Sequence, residues 1–230
     1  MIRLYILVEG QTEEQFAKTL LVPHLRERAI TAIPIIVTTS RESGGRKRKG
    51  GGKWKHWRDD LLRLSGHDQS GAVRFTTLFD LYGLPGDFPG MDRREAVHDT
   101  RQRALTLETL MAEDIHDWRL IPYIQRHEFE ALVLASLDAL SELVDPLDRH
   151  SVESLRVTVK DAGGPEEVND SEVTAPSKRL EREIQAYEKT THGPLATEAA
   201  GLATIRMQCP RFSAWLDKLE ALSEIDRCTS

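Results

Sequence analysis

A chain of 230 residues, 40% hydrophobic and 30% charged, suits one compact domain with a genuine core and leaves too little length for a second full one. The net charge of -6, from Lys+Arg 31 and Asp+Glu 37, argues against a protein that coats nucleic acid by bulk charge. No apolar run approaches the roughly 18 residues of a membrane span, no basic-then-apolar leader opens the chain, and Cys209 and Cys228 are too few for a disulfide framework, so a cytoplasmic protein with ordinary thiols is expected.

In chain order, residues 2 to 8 read as an apolar strand stopped at Gly10, and Glu13 to His24 as a helix with Phe16, Leu20 and Leu21 on one side. Ile33 to Thr39 predicts a second strand, followed by a basic glycine-rich loop holding Arg46, Lys47, Arg48, Lys49 and Lys53. Trp54 to Leu64 has helical spacing at Trp57, Leu61 and Leu64, and Val73 to Phe79 predicts a third strand ending at Asp80. A breaker-rich loop, Tyr82 to Gly90, precedes a long helical pattern from Arg93 to Asp114 and a fourth strand from Arg119 to Gln125. His127-Glu128-Phe129-Glu130 then opens a helix, and helical segments alone follow from about Leu137. Strands alternating with helices predict an α/β fold with a mostly parallel sheet, flanking helices and a helical C-terminal part; the expected division is 1–136 and 137–230.

Three predicted strands end in acids: Glu9, Asp80 and Glu128. Ligands of open α/β sheets bind beyond the carboxyl ends of the strands. Carboxylates gathered there repel one another unless a cation neutralises them, and Mg²⁺ or Mn²⁺ takes such oxygens together with water and substrate phosphate. Glu13 and Glu130 stand close by in sequence, so the candidate metal ligands are Glu9, Asp80, Glu128 and Glu130, with Glu13 as a ligand or supporting group. Plainer roles also suit these residues: a charge at the helix start for Glu9 and Glu128, a solvated or first-turn residue for Glu13, an exposed face residue for Glu130, and a turn residue for Asp80. His127 suits a structural or substrate-contacting role.

Other chemistries fail on spacing. Four residues after His127 stands Ala131, which rules out the zinc-protease helix, and the basic loop has no glycine pair placed before a Lys-Ser or Lys-Thr. One glycine follows the first strand where a dinucleotide fingerprint needs three.

Val8-Glu9-Gly10-Gln11-Thr12-Glu13 and Phe79-Asp80 resemble the signature of the Toprim fold of topoisomerases, primases and OLD-like (overcoming-lysogenization-defect) nucleases. The fuller set, Phe79-Asp80-Leu81-Tyr82-Gly83-Leu84-Pro85, His127-Glu128-Phe129-Glu130-Ala131-Leu132, Asn169-Asp170 and Pro176-Ser177-Lys178-Arg179, is similar to a bacterial Toprim-like family of unknown function. The resemblance implies a Toprim-like, Rossmann-like core and magnesium-dependent phosphodiester chemistry. It also implies an ABC-type or AAA-type ATPase partner in an anti-phage or mobile-element context. By position Glu9 matches the Toprim glutamate and Asp80 the first acid of its Asp-x-Asp motif. Tyr82 holds the second acid's place, so either Asp87, Glu128 or Glu130 completes the site or catalysis is weakened or lost.

The leading expectation is a metal-dependent nuclease in which Glu9 and Asp80 hold the cation and Glu13 or Glu128 orients or deprotonates a water. Lys178 would neutralise charge on the phosphate, and Arg46, Lys47, Arg48, Lys49, Lys53, Lys178 and Arg179 would track DNA or RNA, with Trp54 or Trp57 stacking on bases. The alternative is a non-catalytic subunit that binds nucleic acid or an ATPase. Either reading leaves room for a homo-oligomer.

Overall fold

The computed structural model describes residues 1–41, 47–49, 52–67, 70–92, 99–169 and 174–224. The chain forms two compact units, one of Met1–Gln125 with the chain from Asp217 onward, the other of Arg126–Leu216.

The first unit holds the sheet, in the order β2-β1-β5-β6, with β7 also paired to β5. Its strands are β1 (Ile2–Val8), β2 (Ile30–Ile36), β5 (Val73–Asp80), β6 (Leu120–Ile121) and β7 (Ile124–Gln125), and every pairing is parallel. A parallel strand covered on both faces is buried along its length, as β5 is throughout; β1 is nearly all apolar, whereas β5 sets Arg74, Thr76 and Thr77 among its apolar side chains. On one face Leu7, Phe75 and Phe79 pack with Trp57 and Leu61 of α3 (Trp54–His67) and with Leu107 and Met111 of α4 (Thr100–Ile115). α1 (Gln11–Phe16), a π-helical turn (Ala17–Leu21) and α2 (Val22–Arg26) connect β1 to β2 and bury Phe16, Leu21 and Leu25. The expected α/β architecture with a mostly parallel sheet and flanking helices is therefore present.

Three local differences from the sequence reading have physical causes. The fourth strand is split into β6 and β7 because Pro122 has no N–H to give to a ladder. Threonine hydroxyls of β5 bridge the gap: Thr76 donates to the Ile121 carbonyl at 2.7 Å, Thr77 donates to the Tyr123 carbonyl at 2.8 Å, and the Thr77 oxygen accepts the Tyr123 N–H at 2.9 Å. The second strand is also split, into β2 and β3 (Thr38–Arg41), and Lys47–Lys49, expected in a loop, form β4 antiparallel to β3. Backbone pairing with β3 satisfies groups that a loop would leave to water. α4 starts at Thr100, where Asp99 accepts the Arg101 N–H at 2.9 Å, and the expected start at Arg93 lies outside the described residues.

The second unit is helical: α5 (Glu130–Leu134), α6 (Leu137–Leu143), α7 (Arg149–Ala162), α8 (Pro176–Glu183), α9 (Lys189–Gln208) and the start of α10 (Pro210–Glu220). Buried Glu166 joins two of its segments by accepting the N–H groups of Arg211 at 2.9 Å and Phe212 at 3.1 Å, which satisfies the open amides at the start of α10.

Candidate active site at the carboxyl edge of the sheet

The strand order decides where a ligand can enter. From β1 the chain crosses to β2 on one side and then returns to place β5 on the other, so the connections after β1 and β5 diverge. Such a switch point opens a crevice beyond the carboxyl ends of the two strands. Glu9 follows β1 and Asp80 ends β5, and the pairing of Val8 with Leu78 brings them to the same edge.

The two residues are directly linked: the Asp80 N–H donates to Glu9 Oε1 at 2.6 Å. A charge-assisted bond of this kind holds the Glu9 carboxylate over the end of β5. Asp80 is buried and its carbonyl accepts the Gly83 N–H at 3.0 Å, which turns the chain back towards Glu9. Gly83 makes room for that carboxylate, since a Cβ at residue 83 would stand 2.4 Å from Glu9 Oε2. Buried Glu13 is held one residue further on, its Oε2 accepting the Gly10 N–H at 2.9 Å. That contact closes the first turn of α1 as the plainer reading of Glu13 expects. It also keeps a third carboxylate next to the end of β1.

Tyr82 and the acids near it have other engagements. Tyr82 packs its ring against the core of the first unit. Asp87 accepts the Trp54 N–H at 2.8 Å and so caps α3. Asp60, which sequence reading passed over, accepts the Thr38 N–H at 2.7 Å and pairs with Arg63 at 2.9 Å, anchoring the start of the β3-β4 hairpin.

The tryptophans expected to stack on bases are core residues. Trp54 and Trp57 are buried, Trp54 meeting Phe88 edge-on and Trp57 tilted against Phe79, each at 4.6 Å between centroids. Trp54 also donates from Nε1 to Asp114 at 3.0 Å. Neither indole offers a face to a ligand, and that expectation is overturned. Among the expected nucleic-acid contacts of this unit, Lys53 is exposed just before α3, Lys47–Lys49 form β4, and Arg46 lies outside the described residues.

Glu128, Glu130, Lys178 and Arg179 belong to the second unit. Glu128 Oε2 accepts the Ser177 N–H at 3.0 Å in the first turn of α8, matching charge to the positive end of the helix. Glu130 is wholly buried, its Oε2 meets Lys189 Nζ at 3.0 Å, and its Oε1 has no hydrogen-bond partner among the described residues. Burial pushes its carboxyl up to about 7, overcoming the Lys189 ammonium that pulls it down. Lys178 is exposed and paired with Glu181 at 2.8 Å, and Arg179 donates from Nε to the Thr174 carbonyl at 3.0 Å.

His127 is structural. Its Nε2 lies 3.1 Å from the Glu166 carbonyl, which can only accept, so Nε2 carries the proton and Nδ1 accepts from Asn169 Nδ2 at 3.2 Å.

Among the described residues, no group of three or more His, Cys, Asp or Glu side chains is arranged to hold a metal ion. The Glu9–Asp80 pair still matches the donor chemistry of Mg²⁺ or Mn²⁺, which binds through one or two carboxylates and completes its shell with water and phosphate.

A family model described as Domain of unknown function (DUF4276) matches residues 8–220. Among solved structures, the C-terminal region of the Burkholderia pseudomallei OLD protein is 17% identical, with a TM-score of 0.46 and coverage of 97% of this chain and 99% of that one. The C-terminal region of the Xanthomonas campestris pv. campestris OLD protein is 16% identical, with a TM-score of 0.41 and coverage of 99% and 98%. A search of curated proteins finds no match.

Proposed function

We propose that this chain, which belongs to the DUF4276 family, is a divalent-metal-dependent nuclease whose cation binds at Glu9 and Asp80. The observation that carries the reading is the bond from the Asp80 N–H to Glu9 Oε1 at the switch point of a parallel sheet. It presents two carboxylates in the crevice where such folds take their ligands. The resemblance of Val8-Glu9-Gly10-Gln11-Thr12-Glu13 and Phe79-Asp80 to Toprim sequences supplies the reaction class.

When bound, Mg²⁺ or Mn²⁺ would acidify a coordinated water and stabilise charge on the scissile phosphate. Glu9 and Asp80 are the oxygen donors. Glu13, held on the Gly10 N–H, is the carboxylate assigned to accept the proton of the attacking water, and Glu128 is its alternative on the sequence alone. Glu130 as a further metal ligand, and Lys178 and Arg179 as contacts of the phosphate backbone beside Lys53 and the β4 lysines and arginine, are assignments that rest on the sequence alone. An ATPase partner and an anti-phage setting rest on the sequence resemblance, and co-purification with a neighbouring ATPase tests them.

The purified protein should nick DNA or RNA when Mg²⁺ or Mn²⁺ is present. Glu9→Gln and Asp80→Asn should each abolish nicking while the fold survives. Equal nicking by both variants would remove the assignment.

The positions of Tyr82 and Asp87 favour a second reading. With the ring of Tyr82 packed on the core and Asp87 capping α3, neither adds a third acid to the Glu9–Asp80 pair. A non-catalytic Toprim-like subunit that binds nucleic acid or an ATPase fits that arrangement. It predicts nucleic-acid binding without cleavage at any metal concentration.

A further inference from the structure

β2 runs parallel to β1 and ends with Ile36 opposite Val8, and the next residue, Val37, donates its N–H to the Val8 carbonyl at 2.9 Å. The β3-β4 hairpin therefore leaves the sheet at the edge that carries Glu9 and Asp80. Both of its roots are fixed. On the way out the Thr38 N–H is held by buried Asp60, and on the way back the Trp54 N–H is held by Asp87, in the same loop as Gly83, whose backbone adjoins Glu9.

The charge of this excursion is one-sided. Residues 38–58 carry eight lysines and arginines against one acid, Glu42, in a chain whose net charge is -6. The register sets Arg41 opposite Lys47 and Ser40 opposite Arg48. Like charges at opposed positions destabilise a strand pair, and a two-stranded ribbon is marginal by itself, so this one is stabilised by an anion laid along it. Where the chain rejoins α3, Arg58 is taken by Asp114, but Lys53 and Lys55 are exposed and neither pairs with an acid among the described residues.

The form of the anion follows from the residues present. Single strands are held by stacking their bases on aromatic faces. Residues 38–53 include no aromatic side chain, and Trp54 and Trp57 beyond them are buried. What is offered is a narrow basic ribbon, two strands about 4.8 Å apart. The major groove of B-form DNA, about 12 Å wide, admits such a ribbon, whereas that of an RNA duplex is too deep and narrow for side chains to read. The register shift between Thr38 and Ser40 suits the same groove, since such irregularities sharpen the right-handed twist of a ribbon.

We propose that the β3-β4 hairpin lies in the major groove of duplex DNA, with Lys53 and Lys55 on the flanking phosphates, and thereby seats a duplex against Glu9 and Asp80. The inference rests on nucleic acid being the substrate of that site.

The test is binding by the full chain, with chelator present to prevent cleavage, to a labelled DNA duplex of about 20 base pairs, two helical turns, to the RNA duplex of the same sequence and to one DNA strand alone. The DNA duplex should bind the most tightly of the three. Methyl green, a major-groove ligand, should displace the protein, and netropsin, a minor-groove ligand, should not. The slope of log affinity against log salt should fall by about 0.9 for each phosphate contact removed. That is about 2–3 in Lys47→Ser/Arg48→Ser/Lys49→Ser and about 2 in Lys53→Gln/Lys55→Gln. Circular dichroism checks folding, and if the triple variant unfolds, the double variant, which alters no strand, decides. Tighter binding of the single strand or the RNA duplex, unchanged slopes, or displacement by netropsin alone overturns the inference. Nicking is assayed separately with Mn²⁺. A protein that never nicks yet binds the DNA duplex through these cations keeps the ribbon and loses the nuclease. One that nicks with both slopes unchanged does the reverse, and one that binds none of the probes overturns both.

Discussion

Gly83 and Glu9 occupy one space: a Cβ on residue 83 would lie 2.4 Å from Glu9 Oε2 and 3.0 Å from its carboxyl carbon. Relief would come from the flexible end of the glutamate side chain, not from the backbone. Gly83 is also absent from the positive-φ residues, so alanine meets no conformational penalty there. Gly83→Ala should therefore fold with a stability change within about 1 kcal/mol and swing the Glu9 carboxylate off the Asp80 N–H. A charge-assisted bond contributes about 1.5–3 kcal/mol, so Mn²⁺ affinity should fall by about tenfold or more. Thermal melts and calorimetry on the same preparation check the two halves. A lower melting temperature with unchanged metal affinity would contradict the placement.

Stability should depend on pH through Glu130. Its carboxyl is raised from 4.5 to about 7 by burial, so between those values the folded protein binds more protons than the unfolded chain. Stability then falls as pH rises across that window, by at most about 1.4 kcal/mol per unit. Glu130→Gln has no proton to lose, and its urea-unfolding free energy should lack this slope. Asp117 acts in the opposite sense. The Arg119 guanidinium holds its carboxyl well below the usual carboxylate range, so its contribution is present above that range and is lost as pH falls below it.

His127 should prove a fold residue. It is buried with φ 64, a left-handed conformation that a histidine holds at a cost and an alanine at a greater one. His127→Ala also leaves the Glu166 carbonyl and the Asn169 amide without their shared partner. The combined loss should be about 2–4 kcal/mol. His127→Asn, which tolerates the left-handed region, should lose less, and urea titrations of the three proteins rank them.

The elements most legible in the sequence were those whose signal is local. β1 announces itself by a nearly apolar run, β5 by β-branched and aromatic residues and α3 by helical spacing, and the acids at the ends of β1 and β5 follow from where those strands stop. Trp57 was legible as a core residue, since it stands in one stripe with Leu61 and Leu64; assigning it to base stacking set the basic segment before it above that periodicity. Strand order was not legible, because pairing β5 with β1 is a tertiary choice that no spacing along the chain encodes. Gly83 was missed for the same reason, its service being to a side chain from another strand. Asp60 and Thr38 meet across 22 residues and give no local sign.

The central claim is that Glu9 and Asp80 together hold a divalent cation. Isothermal calorimetry with Mn²⁺ tests it most directly, comparing the native chain with Glu9→Gln, which keeps an oxygen for the Asp80 N–H and removes only the charge. The account predicts saturable Mn²⁺ binding by the native chain and a loss of at least about tenfold in affinity in Glu9→Gln, from one charged donor removed. Mn²⁺ binding of equal affinity in the two proteins would contradict it.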